Sequence, residues 1–477
     1  MDFWQYKENR IYFIILSVLA ACLVGYILAI SPMHAFGTFL LLGVGLPAAY
    51  LLLKNQHLGL ALVILSVVPG NLIRFSLGTQ ETGGAAILIC DMFIPILILS
   101  WVMRKLTTDR DVQYNGINLP LLSFTLIALA SLIQGFGVLE STGELTLKEA
   151  IVSSMYWFRW VEYAFLFFIA ADIIDSEKAV ENYLRLLLWT AVLVAIGGFI
   201  QLIVMPDFTE YAILYGWDPH QNRLLGTFFD PNFMGGFLAM VESIAIALLL
   251  EARTLKERSV LIFQLLVIGI ALVLTFSRSG YLAIMVAVFV IGVLRAPKIL
   301  GASFLVVVLT LSLSPRALSR VVEGMTFDET VVKRFESWGK ALELIPNWPV
   351  LGVGYNTLMF VQDDLGTADS FDVNNKSGVE NSFLSILLTT GVLGLVSFTF
   401  IYLAIFKQAF LNWKNKALGK RYQTLSIGIM ASLLGIIANS MIINSLVYPF
   451  ILIYIWVLAG IVVAIPKILN DEFGVLN

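Results

Sequence analysis

The sequence predicts an all-α integral membrane protein, and three observations support this fold class. Hydrophobic residues make up 59% of the 477-residue chain, and charged residues make up 13%. Soluble domains are about 25% charged, so this chain has too few polar side chains to cover a water-soluble body. Apolar runs of membrane-spanning length recur along the whole sequence. We interpret residues 1–477 as a single polytopic membrane domain.

We predict about fourteen transmembrane helices, because a bilayer core requires roughly 20 helical residues for each crossing. The predicted spans are 11–30, 35–53, 58–76, 85–103, 118–135, 151–171, 186–205, 231–250, 259–276, 279–295, 299–314, 381–406, 422–443 and 447–465. Pro69 and Gly70 interrupt the third span, and the ninth and tenth spans meet at Ser277-Arg278-Ser279. No small-residue cleavage site follows residues 11–30, so we interpret them as a membrane helix rather than a signal peptide.

The positions of Lys and Arg residues predict the orientation of the chain. With the N-terminus inside, nineteen of the thirty basic residues fall on the inner side. Outside one long loop, the outer side then carries Arg74, Lys148, Arg159, Arg223 and Arg278. Basic loops stay on the cytoplasmic side, so both termini are predicted to be cytoplasmic. The long loop, residues 315–380, is extracytoplasmic in this topology, and residues 330–345 within it have the pattern of an amphipathic helix.

The composition argues against several classes of chemistry. The chain has two cysteines and three widely separated histidines, so the sequence predicts neither a metal site nor a disulfide framework. We expect no cofactor. A net charge of −3 gives no indication of nucleic acid binding.

Charged residues inside predicted spans are costly and mark either a functional site or a buried pair. Arg159 and Glu162 are three residues apart on one helix, which favours a local ion pair. Asp91 and Glu242 have no evident local partner, and bonds between helices or catalysis would each explain them. Arg223 and Arg278 lie at the predicted outer ends of spans. A guanidinium grips phosphate oxygens with two parallel hydrogen bonds, but capping of helix carbonyls or contact with lipid headgroups would also explain both residues.

Four short motifs resemble the O-antigen ligase and Wzy-type polymerase family of membrane glycosyltransferases. They are NRLLGTFFDPN at 222–232, TFSRSG at 275–280, GVENSFL at 378–384 followed by TGVLGL at 390–395, and Trp338 with PVLGVGYN at 349–356. The resemblance covers roughly residues 220–400. It implies a GT-C-like architecture and transfer of a glycan from a polyprenyl-pyrophosphate donor to a hydroxyl of a glycan or glycolipid acceptor. It further implies inversion of the anomeric centre without a metal, in a site that faces outward from the cytoplasmic membrane.

The resemblance also implies roles for individual residues. Arg223 and Arg278 would hold the donor pyrophosphate and stabilise it as a leaving group. Ligases of this family have a histidine directly before the asparagine of the third motif, and this chain has Glu380 there. A carboxylate can accept a proton in the same way. Two alternatives remain open: Glu380 caps the following helix, or His220 supplies the base.

From these motifs we select eleven candidate site residues. Glu380, Arg223 and Arg278 are the candidate catalytic residues. The candidate substrate-binding residues are Arg159, Asn232, Ser277, Arg334, Trp338, Tyr355, Asn356 and Asn381.

Two other functions compete with this interpretation. Glu380 in place of histidine favours a polymerase of repeat units over an O-antigen ligase that transfers to a lipid core. A flippase of lipid-linked oligosaccharide is the rival from a different class. Transporters place polar residues along a path through both leaflets, whereas the notable polar residues of this sequence cluster on the predicted outer side.

Cysteine scanning tests the predicted topology. Ser370→Cys should react with an impermeant thiol reagent from outside, because residue 370 lies in the long outer loop. Asn415→Cys should react only from inside. Labelling of both positions from one side would contradict the fourteen-helix model.

Overall fold

The computed structural model describes residues 46–77, 85–108, 114–215, 217–325, 329–362, 365 and 379–473. The predicted span 11–30 and most of 35–53 lie outside these residues. The helices are α1 Leu46–Lys54, α2 Gln56–Leu65, α3 Ile89–Thr108, α4 Asn118–Thr142, α5 Leu147–Ile173, α6 Glu177–Val204, α7 Thr209–Tyr215, α8 Pro231–Leu250, α9 Leu255–Leu274, α10 Arg278–Leu294, α11 Lys298–Leu313, α12 Pro315–Met325, α13 Glu329–Leu344, α14 Leu358–Val361, α15 Ser382–Lys414, α16 Gly419–Ser440 and α17 Pro449–Phe473. A hairpin pairs β1 Arg74–Leu77 with β2 Ala85–Leu88.

The predicted class, an all-α integral membrane protein, is confirmed. Within the described residues, seven helices are long and apolar enough to cross a membrane: α4, α6, α8, α9, α15, α16 and α17. Each of them coincides with a predicted span. Helices also occupy the predicted spans 151–171, 279–295 and 299–314, as α5, α10 and α11. The predicted amphipathic helix at 330–345 is α13.

Two predicted spans are not continuous helices. In the span predicted at 58–76, the helix ends at Leu65 and the chain later enters β1. The span predicted at 85–103 begins with β2. Pro69 has no backbone N–H to donate, and Gly70 has a φ of 51° that favours glycine. A Cβ at Gly70 would lie 2.6 Å from the carbonyl oxygen of Thr227. This turn therefore reaches the segment that leads into α8.

Small residues allow α8, α10 and α16 to pack closely, as is typical of helices in membranes. Gly235 of α8 meets Gly280 of α10, where a Cβ on Gly280 would lie 2.9 Å from the Gly235 Cα. A Cβ on Gly435 of α16 would lie 2.6 Å from the carbonyl oxygen of Ala283. This packing places the first turns of α8 and α10 side by side.

Helix α15 breaks near its start, at Gly391, where φ is 66° and ψ is −171°. Residues 349–354 of the long loop run beside the break and bond its free backbone groups. The Val353 amide donates to the Leu388 carbonyl at 2.9 Å, and the Gly354 amide donates to the Thr389 carbonyl at 3.1 Å. The motifs at 349–356 and 390–395 are thus one structural unit.

Side chains of α4 complete this unit. The Ser131 hydroxyl donates to the Thr389 carbonyl at 2.7 Å, and the Gln134 amide donates to the Gly352 carbonyl. Gly135 lets the loop approach α4 closely, because a Cβ there would lie 2.8 Å from the Gly354 Cα. The long loop is therefore held against the helix bundle.

Candidate functional site

Three helices begin at the same end of the bundle, which we call the site end. Asp230, Ser277 and Asn381 are the N-caps of α8, α10 and α15. The Ser277 hydroxyl donates to Asn232 Oδ1 at 3.0 Å, which links the starts of α10 and α8. Asn381 Nδ2 donates to the Met441 carbonyl at 3.0 Å, just beyond the end of α16. Helix N-termini favour negative charge, so the site end suits an anion.

Arg223 caps the carboxyl end of α9. Its Nε donates to the Thr275 carbonyl at 2.9 Å, and its Nη2 donates to the Phe276 carbonyl at 3.3 Å. The capping role considered from the sequence is therefore present in the structure. In the described part of the chain, these two bonds engage Nε and Nη2 and leave Nη1 of Arg223 without a hydrogen bond. Arg278, the first residue of α10, follows directly after the Ser277 cap.

Two further arginines surround Arg223, and the sequence analysis did not select them. Arg316 of α12 donates to the carbonyls of Asn222 at 2.8 Å and Gln221 at 2.6 Å. Burial lowers the pKa of Arg223 to about 10, and the positive charges of Arg320 and Arg316 act in the same direction. The group therefore has an excess of positive charge. Arg316 and Arg320 are four residues apart on one helix face, a signal that the sequence already contained.

His220 lies in the same positive field. Burial lowers the pKa of His220 from 6.5 to about 3, and the charges of Arg223 and Arg320 contribute to this shift. Within the described residues, His220 Nε2 has no hydrogen-bond partner. An efficient general base has a pKa near the working pH, so His220 is poorly suited to that role.

Glu380 pairs with Arg334 of α13. Arg334 Nε donates to Glu380 Oε2 at 2.5 Å, and the indole of Trp338 donates to the backbone carbonyl of Glu380 at 3.4 Å. The side-chain N-cap of α15 is Asn381 and not Glu380, because Asn381 Oδ1 accepts the amides of Phe383 and Leu384. The Glu380 carboxylate is directed to a guanidinium instead.

Asp230 connects the two halves of the site. Burial raises its pKa, and amide hydrogen bonds from Phe233 and Asn232 lower it. The Arg223 charge also lowers the pKa of Asp230, and the Glu380 carboxylate raises it. Arg223 and Glu380 are therefore both within electrostatic range of one buried carboxyl group. The structure brings these two candidate catalytic residues to the same end of the bundle.

The remaining candidates have other contacts. Arg159 pairs with Asp91 of α3, not with Glu162 as the sequence favoured, and its Nη2 lies 2.5 Å from Asp91 Oδ2. Asp91, which had no evident partner in the sequence, is therefore held between helices. Tyr355 packs against the main hydrophobic core. The Asn356 carbonyl accepts a hydrogen bond from Ser153 at 3.2 Å.

A group of possible metal ligands occurs where the sequence analysis expected none. One ligand atom each from Asp218, His220 and Asp230 lies within 4.8 Å of the others. Histidine with two carboxylates is a donor set that divalent ions accept. Arg223 and Arg320 act on these same residues, and their positive charge opposes the binding of a cation.

The fold and the site together define a class: a helical membrane protein with a cationic site and a carboxylate at one end. Residues 262–399 match the family model described as O-antigen ligase. The resemblance to the O-antigen ligase and Wzy-type family is thereby confirmed over a segment that contains Arg278, Arg334 and Glu380. A search of curated proteins finds no match.

The lowered pKa of His220 predicts a pH-dependent stability. Below pH 6.5 the unfolded chain binds a proton at His220 that the folded chain accepts only near pH 3. Stability should therefore fall as the pH decreases through this interval, by up to about 1.4 kcal/mol per pH unit. His220→Gln should flatten this slope in melting-temperature measurements between pH 7 and 4, whereas a His57→Gln control should retain it. An unchanged slope in His220→Gln would contradict the burial of a neutral imidazole.

Proposed function

We propose that the chain is a metal-independent, inverting glycosyltransferase of the cytoplasmic membrane, which polymerises glycan repeat units from a polyprenyl-pyrophosphate donor. The observation that carries the proposal is that Arg223 and Glu380 are both within electrostatic range of Asp230, beside three helix N-termini. We further propose about fourteen membrane helices in a GT-C-like arrangement, with both termini cytoplasmic and the site end facing outward.

In this proposal the site end binds the pyrophosphate of the donor. Nη1 of Arg223, the Arg278 side chain and the first turns of α8 and α10 provide positive potential. Positive charge confined near buried groups is costly in the free protein, as the lowered pKa of Arg223 indicates. A bound pyrophosphate would remove this cost. The same groups would stabilise the negative charge that grows on the leaving group as the glycosidic bond breaks.

The chemical step then requires one proton acceptor. The acceptor hydroxyl gives its proton to a carboxylate oxygen of Glu380. Its oxygen forms a bond to the anomeric carbon of the donor sugar, on the face opposite the pyrophosphate. The bond from that carbon to the pyrophosphate oxygen breaks, and its electron pair leaves with the polyprenyl pyrophosphate. The anomeric centre is inverted, and no metal takes part.

A ligase that transfers the glycan to a lipid core is the second candidate, and the description of the matching family model favours it. Glu380 in the position of the ligase histidine favours the polymerase. Purified protein supplied with donor lipid alone distinguishes the two, because a polymerase extends the donor glycan and a ligase needs an added core-lipid acceptor.

The arginines test the pyrophosphate site. Arg223→Lys and Arg278→Lys should each lower glycan transfer by at least about tenfold, since an ammonium lacks the fork that binds phosphate with two hydrogen bonds. Arg421→Gln is the control: Arg421 pairs with Glu181 at 2.6 Å and Glu257 at 2.7 Å, away from the site end. That variant should lose stability and keep its transfer rate per folded molecule. Normal transfer by both lysine variants would overturn the pyrophosphate site.

Glu380→Gln tests the proposed base. The variant keeps the shape of the side chain and loses the proton acceptor, so transfer should slow by at least about a hundredfold while donor lipid still binds. Glu380→His, which introduces the ligase residue, should retain appreciable transfer. The control is Glu343→Gln, which changes an exposed carboxylate paired with Lys340 on α13. Near-normal transfer by Glu380→Gln would exclude Glu380 as the base.

A further inference from the structure

The proposed base is already occupied by another residue of the chain. Arg334 Nε lies 2.5 Å from Glu380 Oε2, and the two side chains are 16% and 30% exposed. In the described part of the chain, Arg334 is the hydrogen-bonding partner of this carboxylate. A carboxylate that is engaged by a guanidinium has fewer lone pairs available to an incoming hydroxyl. Catalysis by Glu380 therefore requires that this contact loosen.

The helix that carries Arg334 is anchored apart from this ion pair. Ala341 of α13 is fully buried in a cluster with residues of α4 and α15. The Trp338 indole donates to the Glu380 carbonyl, not to its carboxylate. The Arg334 side chain can therefore change its partner while α13 stays in place, because its backbone does not depend on the Arg334–Glu380 bond.

The chemistry at the site end supplies a better partner for Arg334. Glu380 is within electrostatic range of Asp230, and the charge of Arg223 also acts on Asp230. Asn381, the residue after Glu380, donates to the Met441 carbonyl at 3.0 Å, and Asn439 near the same end of α16 lies against Gly236 in the first turns of α8. A pyrophosphate bound at the site end would therefore lie close to the start of α15, which Glu380 precedes. A phosphate group offers more negative charge and more acceptor oxygens than a carboxylate, and guanidinium groups bind it with two hydrogen bonds.

We propose that Arg334 exchanges partners when the donor binds. In the free protein Arg334 holds the Glu380 carboxylate. The pyrophosphate of the donor draws the guanidinium away and leaves Glu380 free to accept the proton of the acceptor hydroxyl. Arg334 thereby makes the base available only when the leaving group is in place. This inference rests on the proposed function and adds to it an order of events within the same site.

A double-mutant cycle on pyrophosphate binding tests the exchange without turnover. Full-length protein in detergent is titrated calorimetrically with inorganic pyrophosphate and with farnesyl pyrophosphate. Glu380→Gln should lower the dissociation constant by about tenfold, because Arg334 no longer has a competing carboxylate. Arg334→Gln should raise it by about tenfold. In the Arg334→Gln background, the Glu380→Gln substitution should then change the dissociation constant by less than about twofold.

Additivity would overturn the proposal. If Glu380→Gln tightens binding equally with and without Arg334, the carboxylate acts only by repelling the ligand, and no exchange occurs. That result, with transfer still dependent on Glu380, leaves the proposed function intact. Equal binding of pyrophosphate by the parent protein, Arg223→Lys and Arg334→Gln would instead contradict the pyrophosphate site itself. Glu343→Gln controls for the loss of a charge on α13, and melting temperatures confirm that each variant is folded.

Discussion

Backbone groups within a bilayer must find hydrogen-bond partners inside the protein. The arrangement of the site depends on how this requirement is met at the break in α15 at Gly391. Helix α15 loses regular hydrogen bonds there, and residues 349–354 replace them. A Cβ at Gly391 would lie 2.2 Å from the Val350 carbonyl, so only glycine allows the two segments to approach. The long loop is thereby fixed to α15, the helix that Glu380 precedes. The position of α13, and hence of Arg334, follows from this attachment.

The sequence predicted the helices better than it predicted the contacts among polar residues. Span 231–250 was found at its predicted bounds as α8, because Asp230 and Pro231 are strong signals for a helix start and the following residues are apolar. The prediction of one helix at 58–76 was wrong, because the mean hydropathy of a window does not show that Pro69 and Gly70 turn the chain. Strand β2, Ala85–Leu88, is short and apolar and runs directly into α3, and hydropathy alone cannot separate such a run from a helix.

Partners across the fold were beyond the reach of a single sequence. Arg159 and Glu162 are close along one helix, but Asp91 binds Arg159 from α3 and also accepts a hydrogen bond from Tyr163 at 2.9 Å. Sequence spacing cannot reveal such a neighbour. Glu380 was selected as a site residue from its motif, whereas its contact with Arg334 depends on how α13 folds back onto α15. The metal-ligand grouping of Asp218, His220 and Asp230 likewise depends on the path of the loop before α8.

Two of the arginine–carboxylate pairs among the described residues, Arg159–Asp91 and Arg334–Glu380, differ in what surrounds them. Asp91 holds Arg159 with both carboxylate oxygens and receives further bonds from Tyr163 and the Leu88 amide. Removing either partner would leave a buried charge with several unsatisfied neighbours, so this pair is fixed. Glu380 is 30% exposed and, among the described residues, bonds Arg334 through one oxygen. A pair with so few supporting contacts costs little to separate when a more strongly charged ligand arrives. Both pairs join an arginine to a carboxylate, and their surroundings differ. The Arg159–Asp91 pair therefore links helices, whereas the Arg334–Glu380 pair is suited to an exchange of partners.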